Sequence, residues 1–253
     1  FLKQFGTKGY RMPSEATLRS YKAFLVKYDA FLAGEDPSPE RQREFVEGVI
    51  KTRSSGYARI AYYAISVYHY WLNIPTAPMY VEAADPRPHQ MSDLEVEQLI
   101  QSCKNVKERA VILTLFESGV RAKELLGMAW STSDLKGGFT RITMKGGREG
   151  EVPLFDRTVS ALKELYKSGV AGDLVFPMAY SDLYNMVKRI GGRLGVKMTP
   201  HMLRHARGSQ LRRKGVSLDR IQELMGHSDP KTTARFYAQL SPHELKEDIK
   251  KVV

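Results

Sequence analysis

The run HMLRH places His201, Arg204 and His205 together, and two later runs, LMGHSD and TTARFY, carry His227 and Tyr237. Earlier in the chain, SGVRAKELL holds Arg121 and Glu124, and Lys145 stands before two glycines. These residue types suit attack on a phosphodiester. The transition state of such an attack spreads extra charge over the non-bridging oxygens. The planar forks of Arg121 and Arg204 match those oxygens bidentately, which lysine does less well. Tyr237 is the candidate nucleophile. Its ordinary pKa of about 10 means it needs cationic neighbours or a base, and His201 is placed to take its proton. The leaving 5′ oxygen needs a proton, which Lys145 can supply, while His227 can hydrogen-bond the phosphate. Each positioned donor is worth roughly 3 kcal/mol in the transition state. Taken singly, Arg121 reads equally as a helix-end charge, His227 as a turn residue, Lys145 as a solvated hairpin tip and Tyr237 as a half-buried ring. Order and spacing together carry the chemical reading.

The elements that must hold these groups are mostly helical. Arg204 follows His201 by three residues, so the two share a helical face, with His205 beside it. Gly119 ends a helical pattern over 107–118, and Arg121 opens a further turn that brings in Glu124. Ser92 and Glu95 have capping-box spacing at the start of a helix over 92–103. Residues 141–144 and 149–153 read as two short strands around Gly146 and Gly147, a hairpin signal. Helical patterns follow over 156–167, 181–192, 201–214, 217–225, 231–237 and 242–251. Asp229 is the expected cap of the helix leading to Tyr237, and Ser241 with Pro242 the start of the last one.

The first part of the chain is expected to be all-helical. Leu18, Tyr21, Leu25, Tyr28 and Leu32 recur at helical spacing from near Ser14. Pro39 opens a second pattern through Phe45, Val46 and Val49, and a third spans about 55–72. The third is dense in aromatics (Tyr62, Tyr63, Tyr68, Tyr70 and Trp71), which suit packing between helices more than stacking on bases. Arg53, Ser54 and Ser55 stand at a helix start; that position suits a phosphate, and helix capping explains it equally well. Pro75, Pro78, Pro86 and Pro88 mark an extended linker. The expected organisation is a helical domain over 1–75, a linker over 76–90 and a second domain over 91–253.

Composition narrows the partner. The 253 residues carry a formal net charge of +11, and both halves are basic. Such a surface favours a polyanion, bound with salt-dependent affinity. The single cysteine, Cys103, excludes an internal disulfide and four-cysteine zinc sites and suits a reducing compartment. No apolar run is long enough to span a bilayer, and no secretory pattern opens the chain. It starts at Phe1 rather than Met, so a natural start upstream is expected.

With these motifs in order, the chain resembles the tyrosine recombinases of the integrase and Xer type. SGVRAKELLGMAW resembles the family's first arginine box, with Arg121 and Glu124 in place. HMLRHARGSQL resembles the second, with His201 and Arg204, and LMGHSDPKTTARFY the last, with His227 and Tyr237. ITMKGGREGEVPL resembles the β-hairpin bearing the family's lysine, here Lys145; Lys136 is the alternative, and Arg148 a supporting group. His205 matches the usual neighbour of Arg204 and reads as support.

The resemblance implies a mainly α fold with a small β-hairpin or sheet: a helical core-binding domain that clamps DNA, and a mixed α/β catalytic domain. It implies strand cleavage through a 3′-phosphotyrosyl intermediate, and recombination through a Holliday junction held by four protomers. The expected partner is double-stranded DNA carrying a specific site, with no membrane, no metal and no cofactor, in the cytoplasm with the nucleoid. No G-x-x-x-x-G-K-[ST] loop is present. Two readings share much of this pattern: a type IB topoisomerase, which reseals the same strand, and a DNA-binding protein that keeps the fold without catalysis. An RNA-binding protein lacks an RNP or GXXG signal here.

Overall fold

Serine caps set the three helices of the first unit. The computed structural model describes residues 14–81, 91–144 and 147–226. It divides into two compact units, Phe1–Pro86 and Arg87–Val253. In the first, α1 (Glu15–Leu32), α2 (Pro39–Thr52) and α3 (Ser55–Trp71) follow Ser14, Ser38 and Ser54, whose side chains accept from the backbone N–H of Thr17, Arg41 and Tyr57. Each satisfies a donor that the first helical turn leaves unpaired.

The core face of α1 differs from the expected stripe. Phe24, Tyr28 and Leu32 are buried, while Leu18 and Leu25 are only half-buried. The stripe is rotated by one position because the larger Phe24 ring packs edge-on to Tyr57 of α3, with centroids 4.7 Å apart. The aromatics of α3 also divide differently. Its buried face is Ala58, Ala61, Ala64, Ile65 and His69, while Tyr63 and Tyr70 are exposed. Small side chains let neighbouring helices approach, so the tyrosines flank the contact instead of filling it. Tyr62 and Tyr68 pack at its margin.

Buried polar groups hold the chain after α3. Gln42 is fully buried; its Oε1 accepts from the Ala77 N–H at 2.8 Å, and its Nε2 donates to Ser66 Oγ at 2.8 Å. The Tyr62 hydroxyl donates to the Ala77 carbonyl at 2.9 Å. Residues as far as Val81 pack on this unit, so part of the proline-rich stretch expected to begin a linker is built into its core. His69 sits between Tyr28 OH, at 3.1 Å, and the Pro75 carbonyl, at 3.2 Å. Burial pushes its pKa below the usual value.

The second unit is arranged around α5 (Val106–Glu117), which is buried on nearly every side from Ala110 onward. α4 (Asp93–Gln101) precedes it, and its Ser92–Glu95 capping box is formed as the spacing predicts. α6 (Ala122–Leu126) follows. A 3-10 turn (Trp130–Thr132) then leads to an antiparallel sheet of β1 (Ser133–Asp134), β2 (Phe139–Thr143) and β3 (Glu149–Pro153), in that order. β2 and β3 pair in the register Thr140↔Val152 and Thr143↔Glu149. β1, only two residues long, adds a strand to the expected hairpin; it is too short to show a period of two.

α7 (Asp156–Lys167), α8 (Tyr180–Gly192), α9 (Pro200–Arg213) and α10 (Leu218–Met225) complete the described part. The two later helical patterns, over 231–237 and 242–251, lie outside the described residues. Among those described, no helix is long and apolar enough to cross a membrane.

Both ends of α5 are pinned by buried charge. At its start, Glu108 accepts from Arg189 of α8 at 3.1 Å and from Arg193, the residue that caps the end of α8, at 2.7 and 3.0 Å. The Arg193 hydrogen bonds lead in holding its carboxyl down at about 2, against burial. At its end, Glu117 Oε2 accepts from the Thr158 hydroxyl at 2.6 Å and from the Thr158 N–H at 3.2 Å. It thus does for α7 what Phe155, the residue at the cap position, cannot do.

Replacing Gln42 with Leu removes the acceptor of a buried backbone donor. We expect Gln42→Leu to lower unfolding stability by about 1–3 kcal/mol, measured by urea denaturation. A loss below about 0.5 kcal/mol would show that the chain after α3 is not held by this residue.

Candidate active site

The turn after α5 brings the described candidates together. Gly119 takes a left-handed conformation, φ +62, and a Cβ there would stand 3.1 Å from Met225 Cε, so the position favours glycine twice over. Arg121 then serves as the residue before α6. Its backbone N–H donates to Glu124 Oε2 at 2.7 Å, and its guanidinium donates to Glu124 Oε1 at 2.7 Å. Glu124 is 6% exposed and Arg121 28%, so a buried carboxylate anchors a guanidinium that still reaches solvent. A further Arg121 N–H reaches the Gly226 carbonyl at 3.4 Å.

Arg204 approaches from α9. It is 3% exposed and donates through one nitrogen to the Gly119 carbonyl and through another to the Met225 carbonyl. A buried, permanent cation requires such partners. The two bonds join the arginine turn, α9 and the end of α10. Gly226, in a left-handed conformation at φ +54, closes α10 next to His227 in sequence.

His201 opens the same face of α9. The residue is exposed by surface area, yet neighbouring groups partly desolvate its ring. That desolvation, followed by repulsion from Arg204 and then Arg121, lowers its pKa. Its neutral form is therefore favoured near pH 7 and can accept a proton. His205 lies one turn on, its ring edge-on to His201 at 4.2 Å between centroids.

Arg121, Glu124, His201, Arg204 and His205 thus converge, whereas Lys145, His227 and Tyr237 lie outside the described residues. Met144, which precedes Lys145, and Gly226, which precedes His227, are described. Met144 and Gly226 line an open pocket of about 510 Å³ between the hairpin and α10, with Arg148, Glu149, Asp219, Gln222 and Glu223. Arg148 is exposed, and its carbonyl accepts from the Met144 N–H at 2.7 Å. In the first unit, Ser54 caps α3 and Arg53 is exposed beside it, with Ser55 opening the helix.

Sequence reasoning passed over Glu117 and Ser118, polar residues buried just before the arginine turn. Ser118 stands inside the quoted arginine box, and its position between an apolar helix and Gly119 was the available signal. Among the described residues, no group of three or more His, Cys, Asp or Glu side chains is disposed to hold a metal ion.

Residues 89–244 match the model of the phage integrase family. The chain belongs to the phage integrase family. Relatives include tyrosine recombinase XerA of Saccharolobus solfataricus, 29% identical over 197 residues, covering 77% of this chain and 67% of that protein. The XerA of Pyrococcus horikoshii is 23% identical over 256 residues, covering 94% and 88%. Among solved structures, the XerH recombinase bound to its difH substrate before cleavage aligns with a TM-score of 0.76 at 20% identity, covering 92% of this chain and 78% of that one. That likeness supports the fold of this integrase-family chain, a mainly helical body with a small antiparallel sheet.

Two outcomes follow for the site. Glu124→Gln keeps an acceptor for the Arg121 N–H but removes the charge that anchors its guanidinium; unfolding stability should fall by about 1–3 kcal/mol, and an unchanged midpoint would show the pair to be idle. In DNA-free protein, His201 should titrate below pH 6.5 by NMR, and Arg121→Ala should move the midpoint upward. A midpoint above 6.5 would contradict the electrostatic account.

Proposed function

We propose that this integrase-family protein is a site-specific DNA recombinase that cleaves and rejoins strands through a 3′-phosphotyrosyl intermediate. The observation that carries this reading is the convergence of Arg121 and Arg204 beside a His201 whose pKa is lowered, at the turn that leads to His227. The family match, which runs through Tyr237, supports the same assignment.

In this reading, Arg121 and Arg204 bind the non-bridging oxygens of the scissile phosphate, and His227 donates a hydrogen bond to it. The Tyr237 hydroxyl passes its proton to His201 as its oxygen attacks phosphorus. The bond from phosphorus to O5′ breaks, and Lys145 gives O5′ its proton. A 5′-hydroxyl of another strand then attacks the phosphotyrosine and releases Tyr237. Each step exchanges one phosphoester for another, so bond energy is conserved and no nucleotide cofactor is needed. Glu124 holds Arg121, and His205 supports His201.

Two such exchanges pass through a Holliday junction held by four protomers, on double-stranded DNA carrying a specific site. Arg53, Ser54, Ser55 and Arg148 are proposed DNA contacts. The first unit acts as a helical DNA-binding domain, and the second as the catalytic one. The protein works with the nucleoid in the cytoplasm.

Tyr237→Phe should abolish covalent attachment to a nicked suicide DNA and leave binding nearly intact, read by denaturing gel and by mobility shift. Undiminished covalent complex would remove Tyr237 from the nucleophile role. Ligation of the wild-type intermediate to its original strand alone, never to a partner strand, would favour a topoisomerase instead.

A further inference from the structure

The strands that flank Lys145 are tied to the arginine turn and to α10 by two residues with no assigned role. Ser118 is fully buried, and its hydroxyl donates to the carbonyl of Pro153, the last residue of β3, at 2.7 Å. Through this bond the base of the hairpin is fastened just before Gly119, whose carbonyl holds Arg204. At the other end, Met144 directly precedes Lys145 in sequence, and its thioether lies against two glycines. A Cβ on Gly150 would meet Met144 Cε at 2.5 Å, and one on Gly226 would meet Sδ at 3.2 Å. Met144 therefore fills the space between β3 and the residue that precedes His227.

We propose that Ser118 and Met144 are positioning residues that set Lys145 against the scissile phosphate, one at the base of the hairpin and one near its tip. The proposal rests on the reading of Lys145 as proton donor. A general acid must come within hydrogen-bond reach of the leaving oxygen, and a displacement of about 1 Å can cost about 100-fold in rate. A strand advances about 3.4 Å per residue, so even a one-residue change of register in β3 exceeds that tolerance. The Ser118 bond resists sliding along β3. The Met144 contact resists lifting away from α10. Neither side chain takes part in proton transfer: the proton passes from Lys145 Nζ to O5′ as the bond to phosphorus breaks.

The test is single-turnover cleavage of two suicide DNAs, one with the natural O5′ and one with sulfur in that bridging position. A thiolate leaves without prior protonation, so the sulfur DNA does not need the general acid. Ser118→Ala and Met144→Ala should each slow cleavage of the oxygen DNA by roughly 10–100-fold and cleave the sulfur DNA within about 3-fold of wild type. Met144→Leu, which keeps the packing volume, should stay near wild type on both.

Equal slowing on both DNAs, or no slowing on the oxygen DNA, overturns the proposal. Lys145→Ala is the parallel arm. If sulfur fails to rescue it, the proton-donor reading falls and the proposal with it. If sulfur rescues Lys145→Ala but neither Ser118→Ala nor Met144→Ala, only the positioning proposal fails. Should Ser118→Ala not fold, the contrast between Met144→Ala and Met144→Leu decides.

Discussion

The buried guanidinium of Arg204 is the constraint around which the second unit is built. A cation that never deprotonates cannot sit in a protein interior unless its donors are met. Here the partners are backbone carbonyls of Gly119 and Met225, from two separate segments. Charge-assisted hydrogen bonds of this kind are worth roughly 1.5–3 kcal/mol each. Meeting them requires Gly119 to turn through a left-handed conformation and α10 to end where it does. The same turn delivers Arg121, and the same helix end offers the Gly226 carbonyl to it.

That junction is held from behind by α5. Glu108 and Glu117 are buried carboxylates near its two ends, and each is tied to a different helix, to Arg189 of α8 and to Thr158 of α7. Ser118 continues the line to β3. Five consecutive residues, Glu117 to Arg121, therefore contact α7, the sheet, α9, α6 and the end of α10. The polar groups that a core normally excludes have here been used to fix angles between elements. Catalysis of phosphoryl transfer depends mainly on such preorganisation of charge, because little else is asked of the protein.

Electrostatics at His201 follows from the same arrangement. An imidazole placed beside two guanidinium groups, and desolvated by its neighbours, resists a second positive charge. This keeps it in the form that accepts a proton. His205 sets its ring edge-on to His201 on that face.

Much of this was legible in the residue order. Serine and asparagine caps, a capping box and proline at first turns are local signals, so α1 to α5 and α9 follow from short stretches of chain. The spacing of His201 and Arg204 on one helix, and of Arg121 and Glu124 across one turn, is likewise local, and each pair is found together. What the order of residues leaves open is which stripe of an amphipathic helix meets its neighbour. Phe24 displaced Leu25 from the core, and alanines displaced tyrosines on α3, because packing volume between helices decides the face. The strand β1 and the roles of Glu117 and Ser118 depend on partners far away in sequence. By itself, the sequence determined the order of the candidate groups and, among the described residues, the helix that bears His201 and Arg204 and the turn that bears Arg121 and Glu124, since those depend on neighbours a few residues away. Tertiary structure alone decided that Arg121 shares one site with His201 and Arg204, because the Gly119, Met225 and Gly226 carbonyls that align the two arginines come together only when distant segments pack.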